Sequence, residues 1–492
     1  MKVFSYFLAV TVALTAFVGC TKNDSSSPAN PVASNPQTPN PLPPTVEMAT
    51  VQTIIGNDGQ SIAHAQILIG SGVGTPFKAN LITSDEKGQF LAPAEWTTAQ
   101  SITISAPGYL RATYLAQKAK GQTFTIRKSQ THGSFELTGQ TPGISVIGGD
   151  GNAYFSLVLP VLQKSDLLHF NIGMVLSPQN DVISVLGQSV SLPSNLTFPK
   201  QKQNYILPLT LNKPVYRTYF DTPGKKKVLA LSGRFPFKKV VDELRGTTPF
   251  YLVANDMQII SGGIKEIDVA GAVTTSDIPA NQFGFKESRS IASGALAQGE
   301  VLLGVAMSES NGDMIPSDVK VLNANALTPL KVQAGANVQV LSVLKRQTEM
   351  DTGAGEDRLS AVILPFTNGL LPKHLPLMEN PRLLSNSMVQ VQKLQVPAGL
   401  QAIATYGSLQ SIQRSKLADG TLMETVTQVW EVYAPEWVDV IEVPTWPGES
   451  DFAAGNMRWS VAYVAGQSRP NLDLGPTLMQ AVSHVTNASI DF

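Results

Sequence analysis

The chain has one cysteine in 492 residues, and this scarcity excludes two common means of stabilising a fold, disulfide bonds and metal sites built from several cysteines. A single thiol cannot form an intramolecular disulfide, and it cannot supply the cysteine pairs of a structural zinc site. The fold therefore depends on burial of apolar surface and on hydrogen bonds. Histidine is scarce as well, with five residues in the whole chain.

Charge is also sparse. Asp, Glu, Lys and Arg make up 15% of the residues, against about 25% in typical soluble domains. The 36 basic and 37 acidic residues nearly cancel, and the formal net charge is -1. Because nothing in this balance favours the long-range attraction that nucleic acids exert, no nucleic acid partner is expected. Low charge beside 43% hydrophobic residues suits a β-rich exported protein.

The one long apolar run lies at the N-terminus. An uncharged stretch from Val3 to Val18 follows Lys2 and ends at Gly19, which is the order of a positive region, an apolar region and a small-residue cleavage site in a signal peptide. The run is shorter than the roughly 20 residues that a membrane-spanning helix needs. It resembles the signal of bacterial lipoproteins, in which a lipobox, here Phe17-Val18-Gly19-Cys20, precedes an acylated cysteine.

This resemblance implies that Cys20 carries fatty acyl chains such as palmitate and becomes the mature N-terminus. Two or three acyl chains on one residue anchor a protein stably, whereas a single chain binds a membrane only marginally. Thr21 follows the cysteine, where enteric inner-membrane lipoproteins have Asp, so the resemblance favours the outer membrane of the cell envelope over the inner membrane. The alternative is an ordinary secreted protein with one unmodified thiol.

A tether and several β domains are expected after the signal. The residues that follow Cys20 are rich in Ser, Asn and Pro without apolar periodicity, which predicts a disordered segment. Pro- and Gly-rich joints near 275 to 280 and 365 to 376 suggest later boundaries. The predicted division is a signal peptide at 1–19, a tether at 20–45, and β domains at 46–128, 129–275, 276–370 and 371–492.

Between Val46 and Lys128 short alternating stretches predict half-buried strands, such as the one that contains Ile102 and Ile104. The turns Asn57-Asp58-Gly59 and Asp85-Glu86-Lys87-Gly88 supply glycines for the positive φ angles that hairpins need. Short strands joined by such turns are typical of a β-sandwich.

The order of these pieces resembles the carboxypeptidase regulatory-like domain, a small transthyretin-like or immunoglobulin-like sandwich. The residues that carry the resemblance are Asp58-Gly59, Ala65-Gln66-Ile67, the hairpin from Thr83 to Phe90, and Ala106-Pro107-Gly108-Tyr109. The resemblance implies a β-sandwich over residues 46–128 and covers no other part of the chain.

Strand patterns continue beyond Ser129 without a recognised family, for example from Leu168 to Met174. One helix is predicted between Phe237 and Leu244, because apolar residues recur there at helical spacing before Gly246. The whole chain is therefore expected to be mostly β, with tandem antiparallel β-sandwich domains and few short helices.

Four of the five tryptophans lie in the last segment. Trp459 shares a strand face with Val461 and Tyr463, which favours a place in the core. Exposed aromatic rings would instead form a platform on which sugars stack. Core packing is the favoured interpretation, and the candidates for ligand stacking are Trp430, Trp437 and Trp446, of which Trp446, between Pro444 and Pro447, is expected to be the most exposed.

No catalytic or metal-binding motif is recognised. No carboxylate stands three residues after any histidine, so the zinc ligands of carboxypeptidases are absent, and each histidine is expected at the surface or at a strand edge. These histidines are His64, His132, His169, His374 and His484. No nucleophile elbow or phosphate loop is found, because Gly70 to Gly74 lacks the required context. No metal, cofactor or catalytic residue is predicted.

Two acidic loops, at 309–313 and 350–357, are expected to be hairpin tips, with Ca²⁺ binding as the weaker alternative. The run Lys225-Lys226-Lys227 is expected to be a charged hairpin tip, with contact to anionic lipid or polysaccharide as its alternative. Neither feature predicts a reaction.

These features together predict a non-enzymatic, lipid-anchored module of the cell envelope that binds a protein or a glycan partner. One alternative is a hydrolase of envelope polysaccharide or peptide, whose acid and base carboxylates would lie about 5–9.5 Å apart in a cleft near Trp430 or Trp446. The other is a structural component of the envelope, which an exposed apolar patch without a pocket would favour.

Overall fold

The computed structural model describes most of the chain from residue 50 onward. The segments outside the described residues are 1–49, 71–80, 130–134, 143–149, 164–179, 186–187, 194–214, 221–222, 246–247, 249, 311, 349–357, 368, 372, 417–421, 450–451 and 453–454. The predicted signal peptide, Cys20 and tether therefore lie outside them, as do His132, His169 and the alternating stretch from Leu168 to Met174. The chain divides into two compact units, Met1–Met48 and Ala49–Phe492, and the second contains every element given below.

The first strands of the second unit are short. They are β1 (Val51–Gly56), β2 (Gln66–Ile69), β3 (Ile82–Thr83), β4 (Gln89–Leu91), β5 (Gln100–Ser105), β6 (Arg111–Gln117) and β7 (Thr123–Ile126).

The middle of the chain contains longer strands and two helices. The strands are β8 (Phe135–Gln140), β9 (Asn152–Pro160), β10 (Leu162–Gln163), β11 (Asn180–Val185), β12 (Gln188–Pro193), β13 (Val215–Phe220), β14 (Gly224–Pro236), β15 (Gln258–Val269), β16 (Val273–Thr275), β17 (Phe283–Gly284), β18 (Glu287–Ala292), β19 (Glu300–Ser310), β20 (Asp313–Leu322), β21 (Leu327–Val332), β22 (Asn337–Arg346), β23 (Leu359–Pro365) and β24 (Gly369–Leu370). The helices are α1 (Phe237–Arg245) and α2 (Phe250–Ala254).

The last part contains the longest hairpin of the described chain. Its elements are β25 (Arg382–Ser385), β26 (Met388–Gln390), β27 (Gln401–Lys416), β28 (Leu422–Ala434), β29 (Val440–Glu442), β30 (Met457–Gly466), α3 (Pro476–Ala481) and β31 (His484–Asp491). The prediction of a mostly β chain with antiparallel sheets and few short helices is confirmed. The predicted helix is α1, which begins at Phe237 and ends at Arg245.

A 13-stranded sheet, called here the central sheet, joins strands from both ends of the unit. Its order is β10-β20-β19-β22-β23-β31-β30-β27-β28-β6-β5-β2-β3. Neighbouring strands are antiparallel except β6 and β28, which pair in parallel. The sheet takes strands from all four of the predicted β domains, whose boundaries stay a prediction.

Both faces of the central sheet are covered over much of its width. In β30 the residues Trp459, Val461 and Tyr463 pack on one face, as predicted, but Ala462 and Val464 on the other face are buried as well. Strands buried on two sides have continuous apolar runs rather than strict alternation. The central sheet therefore has an apolar core on each of its two faces.

The first sandwich consists of the three-stranded sheet β4-β1-β7 packed on the end of the central sheet. The two predicted turns are present, with φ angles of 80° at Gly59 and 71° at Gly88. The carboxylate of Asp85 accepts backbone hydrogen bonds from Lys87 at 2.9 Å and Gln89 at 2.7 Å, which fixes the second turn. The core of this sandwich continues beyond its own strands onto Tyr406 and Tyr433.

Two of the predicted hairpin tips have different outcomes. The acidic loop at 309–313 is a tip, because β19 ends at Ser310 and β20 begins at Asp313. The prediction for Lys225-Lys226-Lys227 is wrong, because the three lysines lie in β14, paired with β15. Two of these lysines have carboxylate partners, since Lys225 lies 3.5 Å from Glu266 and Lys227 lies 2.9 Å from Asp313. The acidic loop at 350–357 lies outside the described residues.

Candidate functional site

The most unusual chemistry of the described residues lies where β28 pairs with β6. Trp430 pairs with Arg111 and Glu431 pairs with Ala112, so the register places the last part of β28 against the start of β6. Successive residues of a strand point to opposite faces. Trp430 and Glu431 therefore face opposite sides of the central sheet, and the groups around them are called the junction.

On one face, the guanidinium of Arg111 lies between two indole rings. Its central carbon is 4.6 Å from the ring centre of Trp430 and 4.4 Å from that of Trp446. The same guanidinium donates two hydrogen bonds to Glu449, at 2.8 and 2.6 Å. A cation over an aromatic face and a two-pronged carboxylate contact are both strong uses of arginine. Arg111 thus attaches β6 to the β28 strand and to the loop that carries Trp446 and Glu449.

On the other face, Glu431 is a fully buried carboxylate with no exposed surface. One of its oxygens accepts hydrogen bonds from Arg127 and, at 3.0 Å, from the Tyr406 hydroxyl. The other oxygen accepts from the Tyr433 hydroxyl at 3.0 Å. Gln428 also accepts from Arg127, at 2.5 Å. Because both carboxylate oxygens have partners, this buried charge is compensated as buried charges must be.

Burial and the neighbouring charges shift the pKa values of the tyrosines and of Arg127 in this cluster. Burial raises the pKa of Tyr406 well above its usual value, and the negative charge of Glu431 raises it further. The same two causes act on Tyr433 and on Tyr114. Burial opposes the charged form of Arg127, but the carboxylate outweighs it and raises the pKa of this guanidinium. Tyr406 and Tyr433 are therefore neutral donors to an arginine–glutamate ion pair, whereas the Tyr114 hydroxyl donates to the backbone carbonyl of Thr125.

The tryptophans that were candidates for ligand stacking lie in three different settings. The expectation that Trp446 is exposed is wrong: 6% of the residue is accessible, because Arg111 covers the ring. Trp430 is buried in the core, in agreement with the favoured packing interpretation. Trp437 is partly buried, and one face of its ring stacks on Tyr463 with centres 4.8 Å apart. Ligand stacking by Trp437 stays a prediction.

The histidines of the described residues do not all lie at the surface, as the sequence suggested. His64 is exposed, 3.1 Å from Glu86. The prediction is wrong for His484, which is the first residue of β31 and is 1% exposed, and for His374, whose ring is partly buried against Ser342. Strand pairing on both sides of β31 covers His484, which the isolated residue in the sequence gives no reason to expect.

The carboxylates near Trp430 do not share a face. Glu431 lies on the side of the sheet opposite Trp430, and Glu449 is held by Arg111, which lowers the pKa of that carboxyl through their hydrogen bonds. An ionised, arginine-bound carboxylate is a poor proton donor. The geometry of the junction thus supports holding two parts of the chain together.

Arg111, Arg127 and Glu431 were not among the functional residues predicted from the sequence. One signal was present, since Glu431 interrupts the apolar run Val429-Trp430-Glu431-Val432-Tyr433. A charge at that place in a buried strand requires a partner.

Across the described residues, no group of three or more histidine, cysteine or acidic side chains is arranged to hold a metal ion. None of the helices seen there is long and apolar enough to cross a membrane.

No family model and no curated protein matches this chain. Among solved structures, similarity extends to the Bacillus anthracis TIE protein, with 11% identity and a TM-score of 0.16 over 66% of this chain and 50% of that one. It also extends to BcpA, the major pilin subunit of Bacillus cereus, with 9% identity and a TM-score of 0.16 over 78% of this chain and 97% of that one. The chain spans about half the length of the TIE protein. Likeness at this level carries no argument about function.

Proposed function

We propose that the chain is a lipid-anchored module of the cell envelope that binds a protein or glycan partner and performs no reaction on it. The observation that supports this function is the central sheet, which joins the first sandwich to the last strands and is clamped at the junction on both faces. A β unit joined in this way keeps the loops between its strands at fixed distances from one another.

Rigid presentation favours recognition, because a preorganised surface loses little conformational entropy when a partner binds. Enzymes that exclude water around a substrate usually close a lid or a pair of domains. At the junction the polar side chains already have partners within the chain, so their role is cohesion. The loops between the strands are then the elements that contact the partner.

The anchor is part of the proposal and has its own test. The sequence supports it through the lipobox that ends at Cys20. In a bacterial host, mass spectrometry of the mature N-terminus should show an acylated Cys20, and the protein should fractionate with membranes. The Cys20→Ala variant should lose the lipid and the membrane association.

Thr21→Asp is the matched control, because it changes the neighbouring residue and keeps the thiol. This variant should stay acylated and, in an enteric host, move toward the inner membrane. Recovery of the wild-type chain in a soluble fraction with an unmodified thiol would contradict the anchor.

Binding without reaction is tested with the purified full chain. We expect saturable binding to one of three probes: isolated peptidoglycan, envelope polysaccharide, or whole cells stripped of the endogenous protein. Prolonged incubation with the bound probe should release neither reducing sugar ends nor free amines. Release of either product in proportion to protein concentration would replace the binding function with the hydrolase alternative, whether or not the chain is lipid-anchored.

A further inference from the structure

Residues 373–380, called here the strap, cross one face of the central sheet without regular secondary structure. Leu375 and Met378 of the strap are fully buried, and Met378 packs in the same core cluster as Trp430 and Trp459. The strap leads from β24 to the small sheet β25-β26-β29, which packs against those tryptophans. Its attachment therefore determines how this part of the core is covered.

Three side-chain contacts fasten the strap to the sheet. The ring nitrogen Nε2 of His374 lies 3.0 Å from the hydroxyl oxygen of Ser342 in β22. The hydroxyl of Thr486 in β31 donates to the carbonyl oxygen of Pro376 at 2.9 Å. Glu379 accepts hydrogen bonds from Arg346 and, at 2.6 Å, from Arg358. His374 is the fastening group of the strap whose side chain, when free, has a pKa near neutral pH, at about 6.5.

A second histidine lies under the strap. Ser342 pairs with Val362, and Val362 pairs with His484, so the three residues form one row across β22, β23 and β31. Residues paired directly across strands point to the same face, and neighbouring strands lie about 4.8 Å apart. The His484 side chain therefore lies on the face that the strap covers, two strands from Ser342 and its bound His374.

The charged groups on the strap and on the strands it contacts are mostly cationic. They are Lys373 and Glu379 of the strap, Arg346 of β22, Arg358 beside β23, and His484 of β31, while Lys345 points to the other face of β22. The one carboxylate in this set, Glu379, already accepts from two arginines. The side-chain partners of the two rings are the hydroxyls of Ser342 and Ser483, so neither ring is bound to a carboxylate of this set.

We propose that the strap is an acid-released element, docked on the central sheet only while His374 and His484 are both neutral. Protonation of either ring places a positive charge beneath the docked strap with no carboxylate bound to it, and that charge is better solvated when the strap is detached. Release would uncover Met378 and free the connection to the small sheet. The inference does not depend on the lipid anchor or on the identity of a binding partner.

Burial sets the direction of the pH dependence. It lowers the pKa of His374 to about 4, and the charge of His484 lowers it further. Burial also lowers the pKa of His484, although the backbone of Lys373 opposes that shift. A histidine that is free in the released state has a pKa of about 6.5. Protons therefore bind the released state first, so docking is strongest above about pH 6.5 and weakens as the pH falls toward 4.

Oxidation of Met378 by hydrogen peroxide measures release directly in the full chain, because a thioether reacts when solvent reaches it. Peptide mass spectrometry gives the rate at pH 7 and at pH 5. From the two pKa values of His374, the fraction of released strap should rise about twenty-fold between these pH values. Met479 of α3 is 2% exposed and packs in a different core cluster, so it is the internal control. Its oxidation rate should be the same at both pH values.

His374→Gln tests the cause, since glutamine keeps a hydrogen-bonding group near Ser342 and stays neutral. This variant should lose the twenty-fold rise, whereas His64→Gln, at an exposed site, should keep it. The proposal is overturned if Met378 oxidises at the same rate at both pH values, if Met479 accelerates equally, or if His374→Gln retains the rise. If His374→Gln does not fold, NMR titration of the wild-type histidines decides: a His374 pKa near 6.5 with Met378 still protected overturns the proposal.

Discussion

Trp430 and Glu431 are adjacent in β28, yet each holds a different arginine of the first sandwich from opposite faces of one sheet. Trp430 stacks on Arg111, and Glu431 binds Arg127. The position of β28 against the first sandwich is therefore fixed by two contacts of different chemistry, one dominated by an aromatic surface and one by a buried ion pair. A shift of the strand by one residue would exchange the two faces and lose both contacts.

Glu431→Gln should destabilise the chain strongly, because it leaves the guanidinium of Arg127 buried without its counter-charge. Breaking a buried ion pair on one side costs about 3–5 kcal/mol. Urea unfolding followed by circular dichroism measures this loss. The exposed Glu86→Gln change near His64 is the control and should alter the unfolding free energy by less than about 0.5 kcal/mol.

The double variant Arg127→Met with Glu431→Gln removes both charges and should recover a large part of the stability lost by Glu431→Gln. Coupling of this kind is expected for groups in contact and absent for independent sites. Additive losses in the double variant would show that the two side chains do not act as a pair.

Arg111→Lys should weaken the other face of the junction. Lysine keeps the charge but cannot place a planar group between two indoles or donate a two-pronged contact to Glu449. We expect a loss of about 1–2 kcal/mol in the free energy of unfolding and a changed tryptophan emission spectrum. Arg289→Lys, whose arginine donates to Glu287 at 2.9 Å, is the matched control and should leave the emission unchanged.

Gly88→Ala should destabilise the first sandwich more than Gly59→Ala. Both glycines have positive φ angles, so both variants carry the backbone strain of about 1–2 kcal/mol. A β-carbon at Gly88 would also lie 2.5 Å from the carbonyl oxygen of Ile54, whereas one at Gly59 meets nothing within 4 Å. Thermal unfolding of the two variants separates the strain from the steric clash, and equal shifts would contradict the close approach at Gly88.

Alkaline solution should unfold the chain through the tyrosines of the junction. Burial and the charge of Glu431 raise the pKa values of Tyr406, Tyr433 and Tyr114 in the folded state. The unfolded chain ionises tyrosine near pH 10, so the contribution of these groups to stability is complete below that pH and is lost above it. Tyrosinate absorbance and circular dichroism should therefore change together for these side chains. Their ionisation near pH 10 with the fold intact would contradict the burial.

Local features of the fold were predictable from the sequence because their causes are local. Ile102 and Ile104 alternate with polar neighbours, and they form β5 as expected. Gly59 and Gly88 follow turn residues whose side chains hydrogen-bond the backbone, and both have the positive φ angle that was expected. The helix from Phe237 to Arg245 has an apolar face of its own and needs no distant partner to be recognised.

The junction was not predictable because its partners are distant along the chain. Trp430 donates to the hydroxyl of Thr113, a residue 317 positions earlier. Trp446 stands between prolines, which is typical of an exposed loop, and it is buried because it packs in the same core cluster as Trp430 and is covered by Arg111. Glu431 was the one local sign of the junction, since a carboxylate within an apolar strand implies a buried counter-charge. The hydrophobic pattern does not indicate which residue supplies that counter-charge.

The parallel pairing of β6 with β28 also constrains how the nascent polypeptide matures. The edge formed by Arg111 to Tyr114 has no complete neighbour until residues 430–433 have been synthesised. Chains fold from the N-terminus as they emerge, and an open strand edge invites aggregation. The first sandwich therefore stays partly assembled until β28 has been synthesised, and shielding of this edge during that interval would raise the yield of folded protein.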